Sequence, residues 1–310
     1  MGQREGKELL QRLQSEILVF DGGMGTMLFA AGLLDGACPE LWNDTHADVV
    51  RGVHQGYFGA GSDFVETNTF GGTRLKLAHY GIAERTRELN VKGAQLARAV
   101  CPPGRCVAGS IGPTSQIPQP YGDVTEEELY ANFTEQAQAL AEGGVDLFAV
   151  ETMMFPDEAK MAIQACKDAT GFPVIATMFF QYEEAHDRDR TMWGDSPADV
   201  AVQLLGFGAD VVGMNCGRGP DRAAVILREM RAVTDAPLIA YPNAGMPVVK
   251  DGQTTYELGP QEMAAGYPPI LDAGGRLIVG ACCGSTPAHI ERIVEVVRRR
   301  RPRSPSRQPG

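Results

Sequence analysis

Eight times along this chain a short apolar run gives way to an amphipathic stretch, and that alternation constrains the fold more than any other feature. The runs cover residues 17–20, 63–67, 106–111, 147–151, 173–179, 211–215, 238–241 and 277–281. Each is short and apolar at consecutive positions, the pattern of strands buried on both faces of a parallel sheet. The stretches between them carry helix signals. Thr125 and Glu128 have capping-box spacing, and Leu129, Phe133, Ala137 and Leu140 follow at helical intervals. Ser196-Pro197 and Thr286-Pro287 each place a cap residue before a proline at the first helical position. Glycines at 61, 143–144 and 171 close helices ahead of the next strand. An opening helix over 3–16 precedes the first strand, and the last helix spans 286–300. Eight such units in about 280 residues predict an α/β protein with a single (β/α)8 TIM barrel. The competing open doubly wound sheet calls for a GxGxxG turn after an early strand, and Gly22-Gly23-Met24-Gly25 lacks that spacing. No linker-like composition interrupts residues 1–297, which are therefore expected to form one domain. Residues 298–310, rich in arginine, proline and serine, read as a solvated, disordered tail.

Composition removes several function classes. Hydrophobic residues at 44% and charged residues at 22% exclude wholesale disorder. No apolar run approaches the roughly 20 residues needed to cross a bilayer, and the polar N-terminus has no signal-peptide core. The expectation is a soluble, cytoplasmic protein. Net charge is −11, and six arginines fall within the last thirteen residues, so the body up to Val297 carries −17. Such a body repels polyanions and argues against a nucleic-acid enzyme.

In a barrel of this kind chemistry sits where strands run into their following loops. The residues there are Asp21-Gly22-Gly23, Glu66-Thr67-Asn68, Gly109-Ser110, Glu151-Thr152, Asn215-Cys216, Pro242-Asn243 and Cys282-Cys283. Three of the seven cysteines fall in this set, and seven is too sparse and odd a number for a disulfide framework. Adjacent cysteines point to opposite faces of a regular strand, so Cys282 and Cys283 can share a metal only where the strand breaks. Gly284 permits that break. With Cys216 they would give a tetrahedral zinc three sulfurs and one open position. Two other readings stand beside this one: small buried hydrophobes, and a strained vicinal disulfide. A sulfur-only zinc suits capture of a thiol as its thiolate better than water activation, which points to alkyl transfer onto sulfur. Asp21 and Glu151 can bind a substrate ammonium, with the Gly22 and Gly23 N–H groups facing its carboxylate. Equally, Asp21 can be a turn residue and Glu151 a capping or structural acid.

The segments DGGMGTML (21–28), ETNTF (66–70), GPT (112–114), VET (150–152), GMNCGRGP (213–220), YPNAGMP (241–247) and GACCGSTPAHI (280–290) resemble, in order, the zinc-dependent homocysteine S-methyltransferase family. The resemblance covers residues 17–297. It implies a (β/α)8 barrel whose Zn2+ is held by Cys216, Cys282 and Cys283, which are also the catalytic residues, with L-homocysteine as substrate. It further implies Asp21 and Glu151 on the amino group, and Gly22, Gly23 and Thr67 toward the carboxylate. Asn243 would lie in the substrate site and approach the zinc when substrate is absent.

DGGMGTM, ETNTF and PNAGMP look most like the homocysteine-binding module of cobalamin-dependent methionine synthase. Stand-alone S-methylmethionine enzymes more often read PNSGE, and betaine-using members carry a longer C-terminal extension. The chain shows no folate, corrinoid or reactivation module. Its nearest approach to a corrinoid-binding DxHxxG, residues 44–49, lacks the glycine. The expected donor is therefore methylcobalamin or another methylcorrinoid carried by a partner protein. The alternatives are a sulfonium or betaine donor, a different thiol acceptor, or a zinc module that only docks. His46, His54, His79, His186 and His289 are expected at helix or loop surfaces rather than in catalysis, and Tyr121 in a plain loop contact.

Overall fold

The computed structural model describes residues 2–250 and 253–300. Eight parallel strands form one sheet: β1 (Leu18–Val19), β2 (Phe64–Glu66), β3 (Cys106–Ile111), β4 (Leu147–Met153), β5 (Val174–Met178), β6 (Val211–Cys216), β7 (Leu238–Pro242) and β8 (Leu277–Val279). Their order is β1-β8-β7-β6-β5-β4-β3-β2, so the sheet curls until its first two strands face one another. That seam has no regular ladder. Asp63, just before β2, closes it instead: its N–H donates to Val19 O at 2.6 Å and its Oδ2 accepts from Val19 N at 2.9 Å. Arg12 and Arg105 pair with the same carboxylate. The expected TIM barrel is the observed fold.

Local signals place the helices. Thr125 and Glu128 make the reciprocal capping bonds of the helix Glu126–Gly143, and Ser196 with Asp199 does the same for Pro197–Gly206. Gly61, Gly144 and Gly171 end their helices in the left-handed conformation. The helix after β7 departs from expectation, being two short pieces, Pro260–Ala265 and Pro268–Leu271. The last helix runs to Arg300, so Arg298–Arg300 belong to it rather than to a tail. The rest of the expected tail, 301–310, lies outside the described residues. Two antiparallel hairpins were not foreseen: Gln181–Glu183 with Arg188–Arg190, and Pro247–Lys250 with Gln253–Tyr256. Among the described residues no helix is long and apolar enough to cross a membrane.

Side chains alternate between two cores. Residues of odd or even parity on each strand, such as Phe64, Ala108, Ala149, Ile175, Ile239 and Ile278, pack together inside the barrel. Their neighbours, such as Val65, Val107, Val150 and Val279, pack outward against the helices. Leu13, from the end of the opening helix, joins the inner cluster and seals the barrel at the N-terminal ends of its strands. Near the other end Phe20 contacts Phe64 and Tyr241, each at 5.2 Å between ring centroids. These rings form the floor of the mouth.

Candidate metal centre and acidic pocket

Continuing the inward parity one step past that floor gives Glu66, Ser110, Glu151, Thr177, Asn215, Asn243 and Cys282. A polar layer thus sits on the floor, with Asn243 and Cys282 just past the ends of β7 and β8.

The other two cysteines reach the mouth because the chain breaks regularity. Cys216 has φ of +57° and Gly217 has +67°, two left-handed residues in succession that turn the end of β6 inward. Gly284, at φ +82°, follows Cys283, and a Cβ there would lie 2.2 Å from Tyr256 Cγ. Cys216 Sγ lies 3.1 Å from Cys282 Sγ, which lies 3.9 Å from Cys283 Sγ, and all three sulfurs fall within 4.8 Å of one another. All seven cysteines are free, which disposes of the vicinal disulfide. Zinc–sulfur bonds of about 2.3 Å put tetrahedral sulfurs about 3.8 Å apart, and the observed separations bracket that value. The donor set fits zinc, with one position left for an incoming sulfur. Hydrogen bonds from the Cys216 and Cys282 sulfurs hold the Cys283 thiol well below its usual range. Bonds to Cys216 and Cys283, with burial, push the Cys282 thiol up. The cluster therefore carries its first negative charge readily and its next reluctantly, until a cation joins it.

Two asparagines organise the site. Asn215 Nδ2 reaches Thr152 Oγ1 at 2.6 Å, Glu151 Oε2 at 3.2 Å and the sulfurs of Cys216 and Cys282 at 3.7 and 3.9 Å. Its Oδ1 accepts from Thr177 Oγ1 at 2.7 Å and Thr152 N at 2.8 Å. Asn243 bridges the two cysteine turns, donating to Gly217 O at 2.8 Å and accepting from Cys283 N at 3.1 Å. Its side chain is thus engaged with backbone.

The acids are buried. Glu151 accepts from Ser110 Oγ at 2.5 Å, and burial drives it up to about 7. Asp21 Oδ2 accepts from Glu66 N at 2.9 Å, and burial pushes Asp21 well above the usual carboxylate range. Glu66 lies beside both and is raised by burial and then by their charges. Gly22 sits where a Cβ would meet Ser285 Oγ at 2.6 Å and Tyr57 at 2.8 Å, so the turn packs too closely for any side chain. The Gly23 N–H donates to Ser285 Oγ at 3.0 Å. Thr67 Oγ1 lies 2.6 Å from Thr69 Oγ1 and accepts from Ser110 N at 3.0 Å. The structure thus gathers Asp21, Glu151 and the cysteines at the mouth, while Gly23 and Thr67 bond within the protein.

Glu66 and Asn215 stood among the expected strand-end residues without a role assigned to them, and Tyr256 was not foreseen in the pocket. Strand parity was the available signal for the first two. Tyr256 arrives beside Cys283 on an unforeseen hairpin. Two histidine expectations are corrected: His54 is fully buried, with burial lowering it to about 3, and His289 is buried against Thr286 and Leu258 O. His46, His79 and His186 are exposed as expected.

A barrel presenting three convergent thiols and buried acids at the C-terminal ends of its strands has the donor set of a thiolate metal site. Residues 18–297 match the homocysteine S-methyltransferase family, and the chain belongs to it. It is 33% identical over 303 residues to a methionine synthase of Mycobacterium tuberculosis, covering 94% of this chain and 25% of that protein. A Mycobacterium leprae methionine synthase is 32% identical over 305 residues, with the same coverage. The chain thus spans about a quarter of the length of these curated relatives. The metallated form of the Escherichia coli homocysteine methyltransferase MmuM superposes with a TM-score of 0.72 at 25% identity, over 93% of this chain and 98% of that one.

Proposed function

We propose that this protein transfers a methyl group to the thiolate of L-homocysteine, giving methionine, with Zn2+ on Cys216, Cys282 and Cys283. The observation that carries the reading is the convergence of three sulfurs beside buried carboxylates that burial keeps protonated in the absence of a cation: one site for a thiol, one for an ammonium. Bound there, zinc would hold the substrate sulfur deprotonated at neutral pH. Asp21 and Glu151 take the ammonium, and the Gly22 N–H faces the carboxylate, the Gly23 N–H being held by Ser285 Oγ. Asn215 links the two halves, since one amide touches both Glu151 and the cysteine sulfurs. The aromatic floor fixes the depth of the substrate and excludes water from beneath it. Attack is a direct displacement: the new S–C bond forms as the bond from methyl to donor breaks, and the electron pair leaves with the donor.

The proposed donor is a methylcorrinoid presented by a partner protein. The similarity to methionine synthases about four times as long, and the PNAGMP segment, support it. A second reading, a self-sufficient enzyme using a sulfonium donor, is favoured by the near-complete coverage of the Escherichia coli homocysteine methyltransferase. Zinc-loaded protein supplied with homocysteine and either methylcobalamin or S-methylmethionine separates them. Methionine from methylcobalamin alone supports the first reading, and methionine from S-methylmethionine alone replaces it with the second. Failure with both donors would sink the proposed activity.

A further inference from the structure

We propose that Glu66 is a third carboxylate of the substrate-ammonium site, and that with Asp21 and Glu151 it makes the pocket select thiols bearing an α-ammonium group. The inference rests on the reading above that homocysteine is the acceptor, and it adds a residue and a specificity to it.

Placement comes first. Phe64 packs inside the barrel and Val65 outside it, so Glu66 points inward, into the mouth. Its backbone N–H donates to Asp21 Oδ2 at 2.9 Å, which sets the two acids side by side across the β1–β2 seam. Its side chain lies against that of Glu151, so that two carboxyls share one buried space. Glu151 is itself fixed by Ser110 Oγ at 2.5 Å and Asn215 Nδ2 at 3.2 Å.

The acceptor inventory is left incomplete by the protein. Asp21 Oδ1 and Glu66 Oε1 are both buried with no hydrogen-bond partner, and Asp21 is only 2% exposed. Buried acceptors in this state are costly and uncommon. Among the described residues none of the three acids forms an ion pair with lysine or arginine that would explain the cluster internally. A primary ammonium has three N–H donors and no acceptor, which matches one donor to each carboxylate. It also brings the positive charge that lets the acids ionise together. A thiol with no ammonium leaves both orphan oxygens as they are and places no cation among the acids.

The test compares L-homocysteine with 4-mercaptobutanoate, which keeps thiol and carboxylate but lacks the amino group. Calorimetric titration of zinc-loaded protein should show that wild type prefers homocysteine. Glu66→Gln should weaken homocysteine binding at least tenfold and leave 4-mercaptobutanoate within twofold. In turnover the same variant should raise KM for homocysteine with little change in kcat. Glu66→Asp, which keeps the charge, should recover part of the preference and serves if the glutamine variant does not fold. A Glu66→Gln protein that keeps the wild-type preference, or weakens both ligands alike, overturns the role of Glu66 alone. Wild type showing no preference overturns it together with the homocysteine reading.

Discussion

Cys216 adopts a backbone conformation that few residues other than glycine visit, at a cost of roughly 1–3 kcal/mol. The strain is local, and its result is a sulfur directed at Cys282 instead of along the strand. Each of Cys216→Ala, Cys282→Ala and Cys283→Ala should therefore lose most bound zinc by metal analysis, and with it at least 100-fold in methionine formation. Three single variants that all keep stoichiometric zinc would refute the ligand set. The acids give a pH signature of their own. Glu151 is raised from 4.5 to about 7, so between those values the folded protein holds a proton that the unfolded chain has released. Its contribution to stability is full below about pH 4.5 and is lost as pH rises through about 7. The melting temperature of ligand-free protein should accordingly fall between about pH 4.5 and 7 and level off above that, and Glu151→Gln should flatten the slope. At this scale the sequence was partly legible. Asp21, Glu151 and the three cysteines stood out by type and position. Glu66 and Asn215 required knowing which face of each strand turns inward, and an apolar run buried on both sides conceals its own parity.

Among elements, the two cysteine turns are separate pieces of chain, after β6 and after β8, and Asn243 at the end of β7 ties them together. Asn243→Ala leaves all three sulfurs in place but frees the turns from one another. Loss of such a supporting contact typically lowers metal affinity or activity 10–100-fold, which chelator competition would measure. Unchanged zinc affinity would reduce Asn243 to a packing role. Strands and capped helices were readable because each carries its signal locally: a buried run, a capping box, a closing glycine. The hairpins were not. Gln181–Glu183 and Arg188–Arg190 are short and polar, with no apolar alternation to betray them, yet the other hairpin brings Tyr256 beside Cys283. The helix after β7 is divided because Pro268 and Pro269 cannot continue the preceding turn.

For the whole molecule, the seam between β1 and β2 is the structural peculiarity. One carboxylate, Asp63, replaces a ladder and gathers two arginines at the end of the barrel remote from the thiols. Asp63→Ala would leave Val19 N–H without its acceptor and Arg105 without its carboxylate, with Arg12 keeping Glu16 as its only carboxylate, a loss of about 2–4 kcal/mol. Thermal denaturation should register that loss, while activity per folded molecule stays near wild type. An equal loss of activity would mean that the seam controls the mouth as well. The closed bottom has one more effect. With Leu13 and the aromatic floor blocking the barrel axis, the mouth is both entrance and exit. Under the proposed reaction, a donor seated over it would shut the door on the acceptor beneath, so the thiol would have to arrive first and the methylated product wait for the spent donor to step aside.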